Sequence, residues 1–270
     1  MTGELAQAIA LVACGNAVLA GDTASRRALT LEHPGFEVVI SVSFRRGTAS
    51  VATTPVAWLD HLRGRGARRL ALTRLAKRTD WLPDHEAVAF AGGSGVMIAA
   101  DVRPAPELWA GEWRSNFAAL HKRASRVWDV VYHAAEPPVP VRADEPPAAR
   151  YELERAPERL RAALDAMVAF EGPSSWTTGF FAPALAMLTS AEVLVPARGL
   201  DLLPAKGYGV AARRLLAAAT LAGSVFGGMG SWSDQDYGER EEERRQVSDG
   251  LFAATQAATL AAVNAFGVER

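Results

Sequence analysis

A single cysteine in 270 residues, Cys14, excludes an internal disulfide, so the chain is suited to a reducing compartment and is not a disulfide scaffold. An excess of one charge is also missing. The 29 Lys and Arg stand against 30 Asp and Glu, and neither half is basic enough to be the footprint of a nucleic-acid binder. No uncharged run reads as a continuous membrane-spanning helix: 172–191 is broken by Pro173 and Pro183, and 215–233 ends in a glycine turn. The standard catalytic spacings are absent too. There is no HExxH, no His pair at i,i+4, no Walker A loop, no G-x-S-x-G elbow and no G-x-G-x-x-G after a strand. His33, His61, His85, His121 and His133 are scattered, so no metal and no cofactor is expected.

What is present describes a folded protein. Hydrophobic residues make up 49% and charged residues 22%, which is ordinary for a globular chain. Residues 5–21 carry no charge, and Leu11-Val12-Ala13-Cys14 resembles the tetrapeptide at which bacterial lipoproteins are cleaved. A secretory signal opens with basic residues, however, and here only Glu4 precedes the apolar run. The expectation is a helix over residues 3–20, packed into the core with Cys14 as a small buried hydrophobe.

From residue 36 the period changes. Phe36, Val38, Ile40, Val42 and Phe44 alternate with smaller or polar residues, which predicts a half-buried strand whose hairpin partner is Ala49–Thr53. Ala28–Glu32 reads as another short strand. Pro55–Arg63 reads as a short helix, Arg69–Leu75 as a strand, and Ala87–Phe90 with Val96–Ala100 as a hairpin about Gly92-Gly93-Ser94-Gly95. Leu108, Trp109, Trp113, Phe117 and Leu120 predict a helix over Pro106–Leu120, and Val127–His133 a last strand.

Five prolines in 134–150 predict an extended linker or strap. Beyond it, Pro157 is expected at a helix start, with Leu160, Leu164, Met167 and Val168 on one face, and Ser174 or Ser175 capping a further segment. Tyr208–Val225 and Glu239–Phe266 are the last two helices expected. The fold class is therefore α+β: a mostly antiparallel sheet domain over 1–133, the Pro-rich segment 134–150, and a helical domain over 151–270.

The most unusual stretch is Phe226-Gly227-Gly228-Met229-Gly230-Ser231-Trp232-Ser233-Asp234-Gln235-Asp236-Tyr237. A phosphate cradle is disfavoured, because the glycines follow a helix and Asp234 and Asp236 would repel an anion. Gly228, Gly230, Ser231, Trp232, Asp234, Asp236 and Tyr237 are the candidates for a ligand-binding or structural loop. In the structural reading Gly227-Gly228 ends one helix, Asp236-Tyr237-Gly238-Glu239 is a capping box for the next, and Trp232 plugs the corner between them.

The segment 203–236, through Phe226-Gly227-Gly228-Met229-Gly230-Ser231 followed by Asp234, resembles small bacterial domains of unknown function that carry such a turn. The resemblance implies a bacterial accessory or immunity-type protein and no particular activity.

Other candidates are weaker. Arg63, Arg65, Arg68, Arg69, Arg74, Lys77 and Arg78 form a basic run, yet Leu70, Leu72 and Leu75 commit its other face to the core, which predicts a solvated strand face. Asp84-His85-Glu86 is the one local cluster with acid/base potential, and Ser94 belongs to a hairpin turn rather than to a nucleophile elbow. The sequence thus points to a cytoplasmic, non-catalytic binding protein, its partner another protein or a second copy of itself, with no nucleic acid. The alternatives are a hydrolase or transferase drawing on Ser231, Asp234, Asp236 and Tyr237, and a membrane-associated protein held through Cys14 or the N-terminal helix.

Overall fold

The computed structural model describes residues 3–74, 85, 95–102, 105–135, 149–190, 202–226 and 231–268. The uncharged N-terminal run forms helix α1 (Gly3–Leu19), in which every residue from Gln7 to Val18 is buried. A helix buried all round must be covered on all sides, and α1 lies among the sheet, its neighbouring helices and the last helix of the chain. Small side chains permit that approach. A Cβ on Gly15 would stand 2.6 Å from Leu70 Cδ1, closer than any real contact.

Asp22 then caps a second helix, α2 (Thr23–Ala28), its carboxylate accepting from the Ser25 N–H at 3.0 Å. Ala28 is therefore helical and the following residues turn, so the strand expected over Ala28–Glu32 does not form. A third helix, α3 (Pro55–Gly64), begins where Pro55 predicts, with Thr54 Oγ1 accepting from the Ala57 N–H at 3.2 Å.

The strands are β1 (Val39–Arg46), β2 (Ala49–Ala52), β3 (Leu70–Arg74), β4 (Val96–Ala100), β5 (Glu107–Ser115) and β6 (Trp128–Ala134), in the order β2-β1-β6-β5-β4-β3. All neighbours are antiparallel except β1 and β6, which are parallel. Two expectations are corrected. Pro106–Leu120 is not one helix: Trp109 and Trp113 fall four apart, a spacing that suits a strand face as well as a helix stripe, and they face the same side of β5. Only α4 (Phe117–His121) is helical. In β1 the pairing register shifts between Val39 and Ser41, so Val39 rather than Ile40 is buried together with Val42 and Phe44. β4 is flanked by β3 and β5; Ala87–Phe90 and most of the glycine turn after it lie outside the described residues.

The buried face of the sheet is aromatic. Phe44 stacks between Trp58 of α3 (4.6 Å) and Tyr132 of β6 (5.4 Å), with Trp109 edge-on at 6.1 Å. The opposite face over β1, β6 and β5 is partly exposed and largely polar.

The C-terminal region is helical, with α5 (Ala149–Glu171), α6 (Ala182–Thr189), α7 (Val210–Gly223) and α8 (Glu241–Asn264). Pro157 lies inside α5 instead of opening it, because Leu153 and Ala156, ahead of the proline, already belong to the buried face that continues through Leu160, Leu164 and Met167. Ser174 Oγ accepts from the Thr177 N–H at 3.2 Å and so caps the turn leading to α6, in whose first turn Pro183 stands. Most of the Pro-rich segment, 136–148, lies outside the described residues.

The two regions meet at strand β3. On its free edge, Asn16 of α1 accepts from the Leu70 N–H (2.7 Å) and donates to the Leu70 carbonyl (2.9 Å). Asn264 of α8 does the same for Leu72, at 2.8 and 2.9 Å.

Candidate functional site

Helix α7 ends at Gly223, before the glycines that were expected to end it. Gly227, Gly228, Met229 and Gly230 lie outside the described residues. By Trp232 the chain is again beside the helix end, for the Trp232 N–H donates to the Val225 carbonyl at 3.1 Å. Trp232 itself is fully buried. Its ring is surrounded by Phe170 (6.1 Å), Trp176 (5.9 Å), Phe181 (6.0 Å) and Tyr237 (5.3 Å), and its Nε1–H donates to Ser248 Oγ at 2.7 Å. It is the plug that its place between two helices suggested.

The two carboxylates of this turn serve its backbone. The Ser231 N–H donates to Asp234 Oδ2 (3.3 Å) while the Asp234 N–H donates to the Ser231 carbonyl (3.1 Å). Asp236 Oδ1 accepts from the Gly238 N–H at 2.9 Å, an Asx turn rather than a capping box with Glu239, and α8 starts only at Glu241 after one 3-10 turn. Tyr237 donates its hydroxyl to Glu171 Oε2 at 2.9 Å, and burial together with that carboxylate pushes its ionisation far above the usual phenol range. Asp234 and Asp236 are exposed, whereas Ser231 is buried, so the three do not face a common cavity.

The first half of α8 braces this corner. Arg244, 3% exposed, is held by Glu241 through Nε (2.9 Å), and that guanidinium keeps the Glu241 carboxyl below the usual range. Arg240 lies 4.0 Å above the Phe170 ring and donates to the Phe170 carbonyl at 2.9 Å.

A second polar pair lies on the neighbouring turn of α8. His85 is fully buried, its Nδ1 2.9 Å from Asp249 Oδ1, with its ring near Phe226 (5.6 Å) and Phe252 (6.4 Å). The local cluster read in the sequence, Asp84-His85-Glu86, thus finds its carboxylate 164 residues away; Asp84 and Glu86 themselves lie outside the described residues. No local pattern announces that pairing, since Asp249 sits among the ordinary charged residues of a helix. A carboxylate so placed fixes the orientation and tautomer of an imidazole.

The basic run is exposed from Arg63 to Arg69, as a solvated face requires, and three of its guanidiniums also reach acceptors within the fold. Arg63 donates to the Val18 carbonyl (2.6 Å), Arg65 to Glu107 (2.5 Å) and Arg69 to the Asn264 carbonyl (2.5 Å). Lys77 and Arg78 lie outside the described residues. Cys14 is buried with its Sγ 3.6 Å from His33 Nε2, and burial pushes the thiol up to about 12, so it is a neutral core group at any physiological pH.

The partly exposed face of the sheet carries the other organised polar array. Ser41 on β1 donates to Asp129 on β6 (2.5 Å), and Asn116 donates to the other oxygen of Asp129 (2.9 Å). On the same face Glu112 of β5 accepts from Arg114 (2.8 Å) and lies 3.1 Å from His133 Nε2 on β6. The Arg114 guanidinium first, with the His133 contact beside it, holds the Glu112 carboxyl low.

Among the described residues no group of three or more His, Cys, Asp or Glu comes together as a metal site, and no helix is long and apolar enough to cross a membrane. Comparison with models of protein families, with curated proteins and with solved structures gives no match.

Proposed function

We propose that this chain is a cytoplasmic, non-catalytic binding protein whose partner, another protein or a second copy of itself, is met on the polar face of β1, β6 and β5. The observation that carries the reading is the array Ser41–Asp129–Asn116 beside Arg114–Glu112–His133, with Val131 and Leu108 on the same face. Side chains locked on adjacent strands present a rigid polar pattern at little ordering cost on binding. The state of the 231–237 turn supports it from the other side. Its carboxylates Asp234 and Asp236 accept from backbone N–H groups of the turn, the Tyr237 hydroxyl donates to Glu171, and Trp232 fills the space between the helices.

The test places a photo-crosslinking amino acid at Ser43, on the same face, in the native host, and follows self-association by sedimentation. A specific crosslink or dimer that disappears with Val131→Arg, at unchanged melting temperature, supports the reading.

The His85–Asp249 pair favours a second reading, an enzyme in which a carboxylate-oriented imidazole moves a proton. In that case Asp249→Asn would abolish the cellular phenotype while Val131→Arg would leave it intact.

A further inference from the structure

Among the described residues three large hydrophobic side chains are exposed, and two of them, Phe117 (71%) and Leu120 (44%), stand on α4, a helix of five residues. They are three apart and so share a face. No residue of α4 is buried. Local caps hold it: Asn116 Oδ1 accepts from the Ala119 N–H (3.1 Å) at its start, and at its end the Arg123 and Ala124 N–H groups reach back to the Leu120 and Ala119 carbonyls (3.0 and 3.1 Å). The apolar pair is thus presented at the end of the β5–β6 connection without serving the core.

Its surroundings are cationic. From Trp113 to Trp128 the chain carries Arg114, Lys122, Arg123 and Arg126 and no acid. Arg114 is paired with Glu112 and Arg126 with Glu32, while Lys122 and Arg123 are exposed and have no carboxylate partner among the described residues. Arg123 is also the one described non-glycine residue with positive φ, +51°. That position closes a helix in the left-handed conformation, where glycine is the unstrained choice. A cation stands there at a cost to stability.

We propose that this tip is a membrane-docking element that sets Phe117 and Leu120 into an anionic lipid surface while Lys122 and Arg123 meet the headgroups. Area and charge select that occupant. Two side chains on a short helix fall far below the roughly 800 Å² per partner of a stable protein interface. A bilayer needs only a few apolar side chains, joined by a cluster of cations, for reversible interfacial binding. This inference is independent of the partner proposed for the sheet face.

The experiment is co-sedimentation of the full chain with vesicles of phosphatidylcholine, with and without phosphatidylserine, at physiological salt. Binding is expected only with the anionic lipid. Phe117→Asp should weaken it about tenfold or more and Lys122→Glu at least about fivefold, both at unchanged melting temperature, since each contact of this kind is worth roughly 1 kcal/mol or more. Arg123→Gly is the separating variant: vesicle affinity should fall about fivefold while the melting temperature rises. Absence of binding overturns the proposal. So does binding that Phe117→Asp leaves unchanged, or a preference for duplex DNA over the vesicles, either of which would make the patch a simple polyanion site.

Discussion

Asn264 closes both backbone groups of Leu72, accepting from its N–H at 2.8 Å and donating to its carbonyl at 2.9 Å, so the amide of the last helix occupies the place of a neighbouring strand. With Asn16 on Leu70, the exposed edge of a sheet is converted into a paired one.

Replacing Asn264 by Leu should therefore leave two backbone groups without partners and lower stability by about 1–3 kcal/mol. Urea melts measure this. Loss of more than the single-variant sum when Asn16→Ala is added would show that the two amides act on one edge, and a neutral Asn264→Leu would show that the edge does not need them.

Trp232→Ala should be the most damaging change in the 231–237 turn, at about 3–5 kcal/mol, since it empties an enclosed aromatic site and strips Ser248 of a donor. Asp236→Ala should cost about 1 kcal/mol or less through the lost Asx turn. A Trp232→Ala protein with an unchanged melt would remove the structural account of this corner.

Gly207 has φ +91°, and a Cβ there would run into the Phe266 ring. Gly207→Ala should destabilise the fold by at least about 1 kcal/mol, from the left-handed conformation and from displacement of that ring. Thermal unfolding provides the readout.

Alkaline pH should destabilise the protein, and the sign follows from burial. The Cys14 thiol is raised from 9.0 to about 12, and Tyr132 and Tyr208 are raised above the usual phenol range, all chiefly through desolvation. Each group favours its neutral form in the folded state, so the stability it contributes is fully present below the unfolded value and is lost above it. For Cys14 the loss runs from about pH 9 to about 12. Titration of the unfolding free energy checks this, and at pH 8 the thiol should react with a disulfide reagent only after denaturant is added.

The residues that could be read in advance are those whose environment is local. The small, uncharged side chains of 5–21 require enclosure, Pro55 suits a helix start by its fixed backbone angle, and the spacing of Val247, Leu251, Ala254, Ala258 and Ala262 belongs to a helix face whatever it packs against. Trp109 and Trp113 misled because a spacing of four fits both periods, and only pairing with β4 and β6 decides for the strand. Val39 escaped because a shift in pairing register moved it across the sheet. In the candidate site, Trp232 was legible from its place between two helices. The Asp249 partner of His85 was not, since 164 residues separate them and nothing in either neighbourhood carries the other's imprint.

The parallel pair β1 and β6 gives the sheet a seam. On one side lies a hairpin of strands consecutive in sequence, β1 and β2; on the other lies the meander β3 to β6, and only across the seam do neighbours such as Ser41 and Asp129 come from 88 residues apart. Each piece can zip locally, but joining them must wait for the loss of loop entropy that long-range contacts demand. The meeting of the two pieces at β1 and β6 should then limit formation of the sheet, and in folding and unfolding rates measured against denaturant Val42→Ala or Val130→Ala should slow folding more than it speeds unfolding.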